Sequence, residues 1–262
     1  MVDAEKSELL ADGLWALGVV AVEEAVADDG RTLLRTSVDE SATDRLQALA
    51  EGHGARLQWL SVPVEVADTW RQHAVPTHVS GDLWLVPAWL EPPPGRAVLV
   101  EPFDTFGLGN HPTTVLALRA AMGMAAAGSL VLDMGSGSGV LAVALAKTAG
   151  AVCECHDIST TAEHALEHNA RLNGVAPAVR WRGPLSGADA GRYDLAVANI
   201  LAPVLRDMAA ALTAAVRPGG ALVLSGIREN QVDEVVARYE LCTVHAVDTL
   251  DGWVAVTLGR VS

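Results

Sequence analysis

Aromatic residues are scarce in this 262-residue chain, at 4% with two phenylalanines and two tyrosines, and cysteine occurs three times. An odd number of cysteines with no Cys-x-x-Cys spacing excludes a disulfide framework or a zinc finger as the organising device. Cys153 and Cys155 alternate in an apolar run and Cys242 stands alone, so the thiols read as core residues. A metal site on Cys153, Cys155 and His156 is the weaker alternative, and no metal is expected. No apolar stretch reaches the roughly 20 residues of a membrane span. The first, Gly13 to Val22, is interrupted and has neither a basic segment before it nor a small-residue cleavage site after it, so a cytoplasmic protein without membrane attachment is expected. Positive charge is also short, with 18 Lys and Arg against 32 Asp and Glu and a formal net charge of −14. Such a surface repels a phosphate backbone, which argues against nucleic acid as a direct partner and favours a cationic or neutral substrate. Internal repeats and low-complexity tracts are absent and half the residues are hydrophobic, so the whole length is expected to fold.

What the chain does contain is concentrated in residues 130–139, Leu-Val-Leu-Asp-Met-Gly-Ser-Gly-Ser-Gly. An apolar run ending in Asp133 reads as a buried parallel strand. Gly135, Gly137 and Gly139 then let the chain turn tightly into a helix while the backbone approaches a ligand closer than a Cβ would permit. Dinucleotide sites usually space their glycines Gly-x-Gly-x-x-Gly around a pyrophosphate. Alternate glycines preceded by an acid suit instead the zwitterionic methionine end of S-adenosylmethionine, which makes Asp133, Gly135 and Gly137 candidate cofactor contacts. An ordinary glycine-rich strand-to-helix turn is the competing reading.

From Leu130 onward, strand and helix patterns alternate as in a doubly wound sheet. Strands are predicted at 130–134, 151–157, 178–182, 193–199, 220–226, 242–248 and 252–258, with helices at about 138–148, 160–173, 201–216 and 229–239. The Asp251-Gly252 turn joins the last two strands as a hairpin. Residues 1–65 read as a small α+β module, with helices at 5–17 and 40–52 and strands near 18–25, 31–37 and 55–62. Trp70, Trp84 and Trp89 punctuate the next segment, which ends in Glu91-Pro92-Pro93-Pro94-Gly95. The tryptophans read as packing residues in preference to an aromatic binding face, and the prolines stiffen the chain toward polyproline II. The expected division is therefore a module at 1–65, a linker at 66–95 and a main domain at 96–262.

The segment Glu101 to Thr114, Glu-Pro-Phe-Asp-Thr-Phe-Gly-Leu-Gly-Asn-His-Pro-Thr-Thr, precedes the glycine motif. Gly107 and Gly109 permit a tight backbone path, Pro112 fits the first turn of a helix, and Thr113 and Thr114 offer hydroxyls there. Both phenylalanines of the chain lie in this loop. Phe106 either closes over substrate or cofactor or anchors the loop, and His111 either orients a substrate or braces the turn. Phe103 and Asp104 set an aromatic face beside a carboxylate, which suits an amine-bearing ligand; Asp104 is otherwise a solvated charge. Asp157 ends the second strand of the doubly wound region, where a carboxylate can accept hydrogen bonds from both hydroxyls of a ribose. The alternative, a helix cap, is already provided for by Ser159 and Thr160. Asn199 closes the fourth strand at the carboxyl edge of the sheet. Its amide carbonyl can accept a hydrogen bond from a substrate nitrogen and aim the lone pair at a methyl carbon, while capping of the next helix is its other reading. Methyl transfer from a sulfonium needs in-line positioning of a neutral nucleophile more than a strong base. His164 and His168 lie four apart on one helix face without a third ligand and read as solvated.

Four features, Leu83-Trp-Leu-Val-Pro-Ala-Trp89, Phe106-Gly-x-Gly-x-His-Pro-Thr-Thr114, Asp133-x-Gly-x-Gly-Ser-Gly139 and Ala198-Asn-Ile-Leu201, together resemble the bacterial methyltransferase family of large-subunit ribosomal protein eleven (PrmA-type). The loop motif is specific to that family; the glycine motif is shared more widely. The resemblance implies an α/β fold, a Rossmann-like class I S-adenosylmethionine-dependent methyltransferase, with a small N-terminal α+β, ferredoxin-like domain for substrate recognition that here lacks its first strand. It implies S-adenosyl-L-methionine as cofactor and places Thr114, Gly135, Asp157 and Asn199 on cofactor-binding positions, with Phe106, Gly107, Asp133 and Gly137 beside them. Asn199 is then the catalytic residue, and Phe103, Asp104 and His111 fall on the substrate side. The implied reaction is methyl transfer to amino groups of the ribosomal protein. Leu108 and Asn110 stand where the family loop usually has threonines, and Ser159 stands where a second acid is usual. The same chemistry on a small-molecule or peptide amine, and a non-catalytic cofactor-binding module, are the alternatives.

Overall fold

A computed structural model describes residues 42–59, 68–103 and 105–261, together with shorter stretches between Leu10 and Val38. The chain divides into two compact units, Met1–Ala74 and Val75–Ser262.

In the first unit β1 (Val22–Val26) pairs antiparallel with β2 (Thr32–Thr36), Val22 opposite Thr36. Helix α1 (Thr43–Gly52) buries Leu46 and Ala50, and Leu46 packs with Leu14 and Val19. The strand expected at 55–62 does not form over its described part, since residues 55–59 have no regular structure; 60–62 lie outside the described residues. Alternation there supplies a pattern, but Arg56, Gln58 and Trp59 are all exposed and no described strand pairs with them.

The second unit opens with β3 (Thr77–Ser80), β4 (Leu83–Pro87) and β5 (Arg96–Val100), a three-stranded sheet in that order with β4 parallel to β5. Residues 75–95 are thus part of the larger unit, which corrects their reading as a linker. Leu83, Leu85 and Val86 are fully buried, and that burial outweighs the stiffness of the three prolines, which only connect β4 to β5.

The main sheet contains β6 (Leu130–Met134), β7 (Val152–His156), β8 (Val179–Trp181), β9 (Tyr193–Asn199), β10 (Val216–Arg228), β11 (Cys242–Leu250) and β12 (Trp253–Arg260). Their order is β11-β12-β10-β9-β6-β7-β8. β12 runs antiparallel to both β10 and β11, and the remaining pairs are parallel. Around it lie α2 (Pro112–Met124), α3 (Val140–Ala149), α4 (Thr160–Leu172), α5 (Ala202–Asp207), α6 (Ala209–Ala215) and α7 (Val232–Val236). Alternate residues of a strand serve opposite layers. Val131 and Leu195 therefore pack with Leu118, Leu145 and Leu166, whereas Leu132 and Leu222 pack with Leu205 and Leu212. The helix predicted at 201–216 breaks at Met208 into α5 and α6. The strand predicted at 220–226 begins earlier, Val216 pairing with Tyr193 before the register shifts and Ala221 meets Leu195.

Two edges of this architecture matter later. β11 is an outer strand whose residues 243–249 are all exposed, with a register shift between Val244 and Ala246. β5 has its free edge closed by a side chain of α4 and by that of its C-cap residue, Asn173. Asn173 accepts from the Leu99 N–H (2.9 Å) and donates to the Leu99 carbonyl (2.7 Å). One turn earlier, Asn169 accepts from the Glu101 N–H (2.9 Å) and donates to the carbonyls of Glu101 and Ser138 (2.9 Å each). No helix among the described residues is long and apolar enough to cross a membrane.

Candidate active site

The carboxyl ends of β6, β7 and β9 bring the glycine turn, Asp157 and Asn199 to one edge of the sheet, the edge where open α/β sheets place their ligands. Gly135, Gly137 and Gly139 have φ of +70°, +50° and +76°, a region that strongly favours glycine. The space a Cβ would take is filled by protein. It would lie 2.3 Å from Ile200 Cγ2 at Gly135, 2.5 Å from the Phe106 carbonyl at Gly137 and 2.2 Å from Leu166 Cδ1 at Gly139. The glycines therefore serve close packing of the turn against the loop before α2, the residue after Asn199, and α4, where the sequence suggested room for a ligand.

That loop is stitched to the turn. Ser138 donates its N–H to the Phe106 carbonyl (3.0 Å) and its hydroxyl to the Gly107 carbonyl (2.6 Å). Phe106 remains 41% exposed. Asp157 accepts from the Gly137 N–H (3.0 Å) through one oxygen and from the Ser159 N–H (2.9 Å) through the other. Each oxygen retains a second acceptor direction, and Ser159 is the N-cap of α4. Ile158, the next residue, is 91% exposed, an apolar side chain held in the open beside the carboxylate. The sequence reading missed it, although an isoleucine between a strand-ending Asp and a Ser-Thr-Thr run is an audible signal.

Asp133 is 1% exposed. Its Oδ2 accepts from the Ala142 N–H (3.1 Å) and its Oδ1 has no partner. Burial, opposed by the Ala142 bond and aided by the charge of Asp157, pushes its carboxyl up to about 7. The Ser136 hydroxyl is likewise buried and unpartnered. A carboxylate oxygen and a hydroxyl left unsatisfied at a glycine turn, beside the carboxylate of Asp157 and the exposed apolar Ile158, fit a ligand that brings donors, positive charge and an apolar ring.

Asn199 ends β9 with its Nδ2 donating to Thr114 Oγ1 (3.3 Å), which leaves its carbonyl oxygen available. It does not cap α5, whose N-cap is Leu201. Thr114 is buried in the first turn of α2. His111 is the N-cap of that helix, its Nδ1 accepting from the Thr113 N–H (3.3 Å) and lying 2.7 Å from Thr113 Oγ1. Burial first, and the charge of Arg228 second, lower its proton affinity. The His111 ring stands 6.0 Å from that of Phe106 and 4.9 Å from that of Trp253, and the Arg228 guanidinium lies 3.7 Å over the Trp253 centroid. Neither Trp253 nor Arg228 was singled out by the sequence, because their pairing depends on strand register. Phe103, at φ +50°, packs its ring edge-on against His164 (4.9 Å) and His168 (5.0 Å) of α4. Those two histidines hold an aromatic ring where a solvated face was expected. Asp104 lies outside the described residues.

Comparison with known proteins gives the family. Residues 37–260 match the family model of ribosomal protein L11 methyltransferase (PrmA). The chain is 36% identical to the ribosomal protein L11 methyltransferase of Thiobacillus denitrificans over 97% of its own length and 95% of that protein. It is 42% identical to the protein of the same name from Azotobacter vinelandii over 72% of its length and 65% of that protein. The crystal structure of ribosomal protein L11 methylase from Lactobacillus delbrueckii subsp. bulgaricus superposes with a TM-score of 0.65 at 29% identity, over 71% of this chain and 99% of that one. The chain accordingly belongs to the ribosomal protein L11 methyltransferase (PrmA) family, S-adenosylmethionine-dependent methyltransferases of Rossmann-like class I fold.

Proposed function

We propose that this enzyme methylates amino groups of ribosomal protein L11, with Asn199 as the residue that positions the acceptor nitrogen. The observation that carries the reading is the Asn199 amide, fixed by its bond to buried Thr114 with its carbonyl left over. An acceptor for one N–H of an incoming amine, held rigidly, orients the nitrogen lone pair without removing a proton. In this reading Asp157 holds the ribose of S-adenosylmethionine, Ile158 and Phe106 flank its apolar parts, and Asp133 with Ser136 and the Gly135–Gly139 turn receive the methionine end. The bound cofactor supplies a methyl group made electrophilic by a positively charged sulfur. His111, disfavoured as a cation, braces Thr113. The unit Met1–Ala74 presents the protein substrate, and the enzyme works in the cytoplasm. The names of the relatives support the substrate.

Intact-mass analysis of ribosomal protein L11 incubated with enzyme and S-adenosylmethionine tests the assignment. Successive methyl increments are expected, slowed about 100-fold in Asn199→Ala, the cost of losing alignment of the nucleophile. A methylated small amine with an unmodified ribosomal protein would move the substrate. Full activity of Asn199→Ala would remove Asn199 from the mechanism.

A further inference from the structure

Arg228 and Trp253 have no part in the reading above, yet they stand at its edge. They are directly opposed across β10 and β12. Three residues before Arg228, buried Ser225 pairs with Asn199 in the β9–β10 ladder. Its hydroxyl reaches the carbonyls of Thr113 (3.0 Å) and Val254 (3.3 Å). The same backbone unit therefore fixes Asn199, the start of α2 and the residue after Trp253. On this frame the Trp253 ring contacts His111 at 4.9 Å, and the Arg228 guanidinium lies 3.7 Å from its centroid. Among the described residues Arg228 makes no ion pair; the acids nearest to it along the chain and across the strand pair are Glu229 and Asp251.

An unoccupied tryptophan face attracts ammonium and methylammonium groups. Beside a methyl-transfer centre that attraction is counterproductive twice. It holds the acceptor as a protonated amine, which has no lone pair, and it retains a fully methylated product. Alkylamines of the lysine type have a pKa near 10.4, so the protonated form dominates at neutral pH. Resting on the methyl-transfer reading of the Asn199 edge, we propose that Arg228 is a specificity-determining residue: spread over Trp253, it sets a fixed positive charge beside that edge, which admits the acceptor amine as its neutral base and expels the cationic product. The groups facing His111 agree with this. Phe106 and Trp253 are uncharged, and the charged group acting on it is Arg228, which with burial disfavours its protonated form.

The test uses tetramethylammonium as a probe of fixed charge and tert-butanol as a neutral probe of similar shape, added to enzyme saturated with S-adenosylhomocysteine. Binding is read from the Trp253 indole resonance in wild type, Arg228→Gln and Arg228→Lys. Arg228→Gln is expected to bind tetramethylammonium at least about fivefold more tightly than wild type, with tert-butanol unchanged and Arg228→Lys close to wild type. In methyl transfer to the ribosomal protein, the pH giving half-maximal kcat, which reports the amine as bound, should rise in Arg228→Gln and return in Arg228→Lys. Equal tetramethylammonium affinity in wild type and Arg228→Gln, with an unshifted pH profile, overturns the proposal. Should Arg228→Gln misfold, Arg228→Met, which keeps the length of the stem, gives the same comparison. Because the binding arm needs no turnover, failure of the ribosomal protein as a substrate leaves it readable. A wild type that methylates the ribosomal protein while Arg228→Gln behaves identically removes only the role of Arg228.

Discussion

Asp133 is an ionisable group sealed from water with half of its carboxylate satisfied. Its carboxyl titrates near 7 in the folded chain against an ordinary value of 3.8. Between those two values the unfolded chain has released its proton while the folded one retains it. Ionisation is therefore tolerated less well by the fold, and stability falls as pH rises from about 4 to about 7, with no further loss from this group above that. Asp133→Asn removes the penalty while keeping an acceptor for the Ala142 N–H. The melting temperature of Asp133→Asn relative to wild type is expected to climb by at least about 2 °C between pH 5 and pH 8, whereas its affinity for S-adenosylmethionine falls. A pH-independent difference in thermal scans would show that Asp133 is already ionised in the fold.

At the scale of elements, the amides of Asn169 and Asn173 take the place of a strand on the open edge of β5. Asn169 alone also reaches Ser138 in the glycine turn. Replacing either with Leu leaves half-buried backbone groups of Leu99 or Glu101 without their side-chain partner, at up to about 1 kcal/mol for each group. Both variants should melt several degrees lower, but only Asn169→Leu should also weaken binding of S-adenosylhomocysteine in calorimetry, because only it frees the turn. Equal cofactor affinity in the two would deny the link. The contrast explains what the sequence could and could not disclose. The strand, turn and helix from Leu130 to Ala149, and the strand-ending Asp157 and Asn199, announce themselves through local pattern and punctuation. Nothing local tells Asn169 from any other helical asparagine, since its partner Glu101 lies 68 positions away. Arg228 and Trp253 meet through sheet register, and the alternation at 55–62 predicted a strand because pattern cannot supply a pairing partner.

For the whole molecule, the excess of 32 acids over 18 bases gives a field that draws cationic partners and weakens with salt. If the ribosomal protein presents lysines to this surface, kcat/KM should fall severalfold as ionic strength rises from about 0.01 to 0.15 M while kcat stays level, which stopped-flow and steady-state assays can separate. Salt-independent kcat/KM would mean that encounter is governed by apolar contacts. The same charge has a second effect through β11. Its residues 243–249 are exposed, Val244 and Val247 among them, and the chain reaches electrical neutrality near pH 4.9. An outer strand of nine residues is a template on which another molecule can lay its own strand. At neutral pH mutual repulsion keeps such copies apart, and the register slip around His245 interrupts the template midway. Acidification toward pH 4.9 removes the first safeguard and leaves the second, so lateral pairing of copies along β11 is expected to be least opposed there.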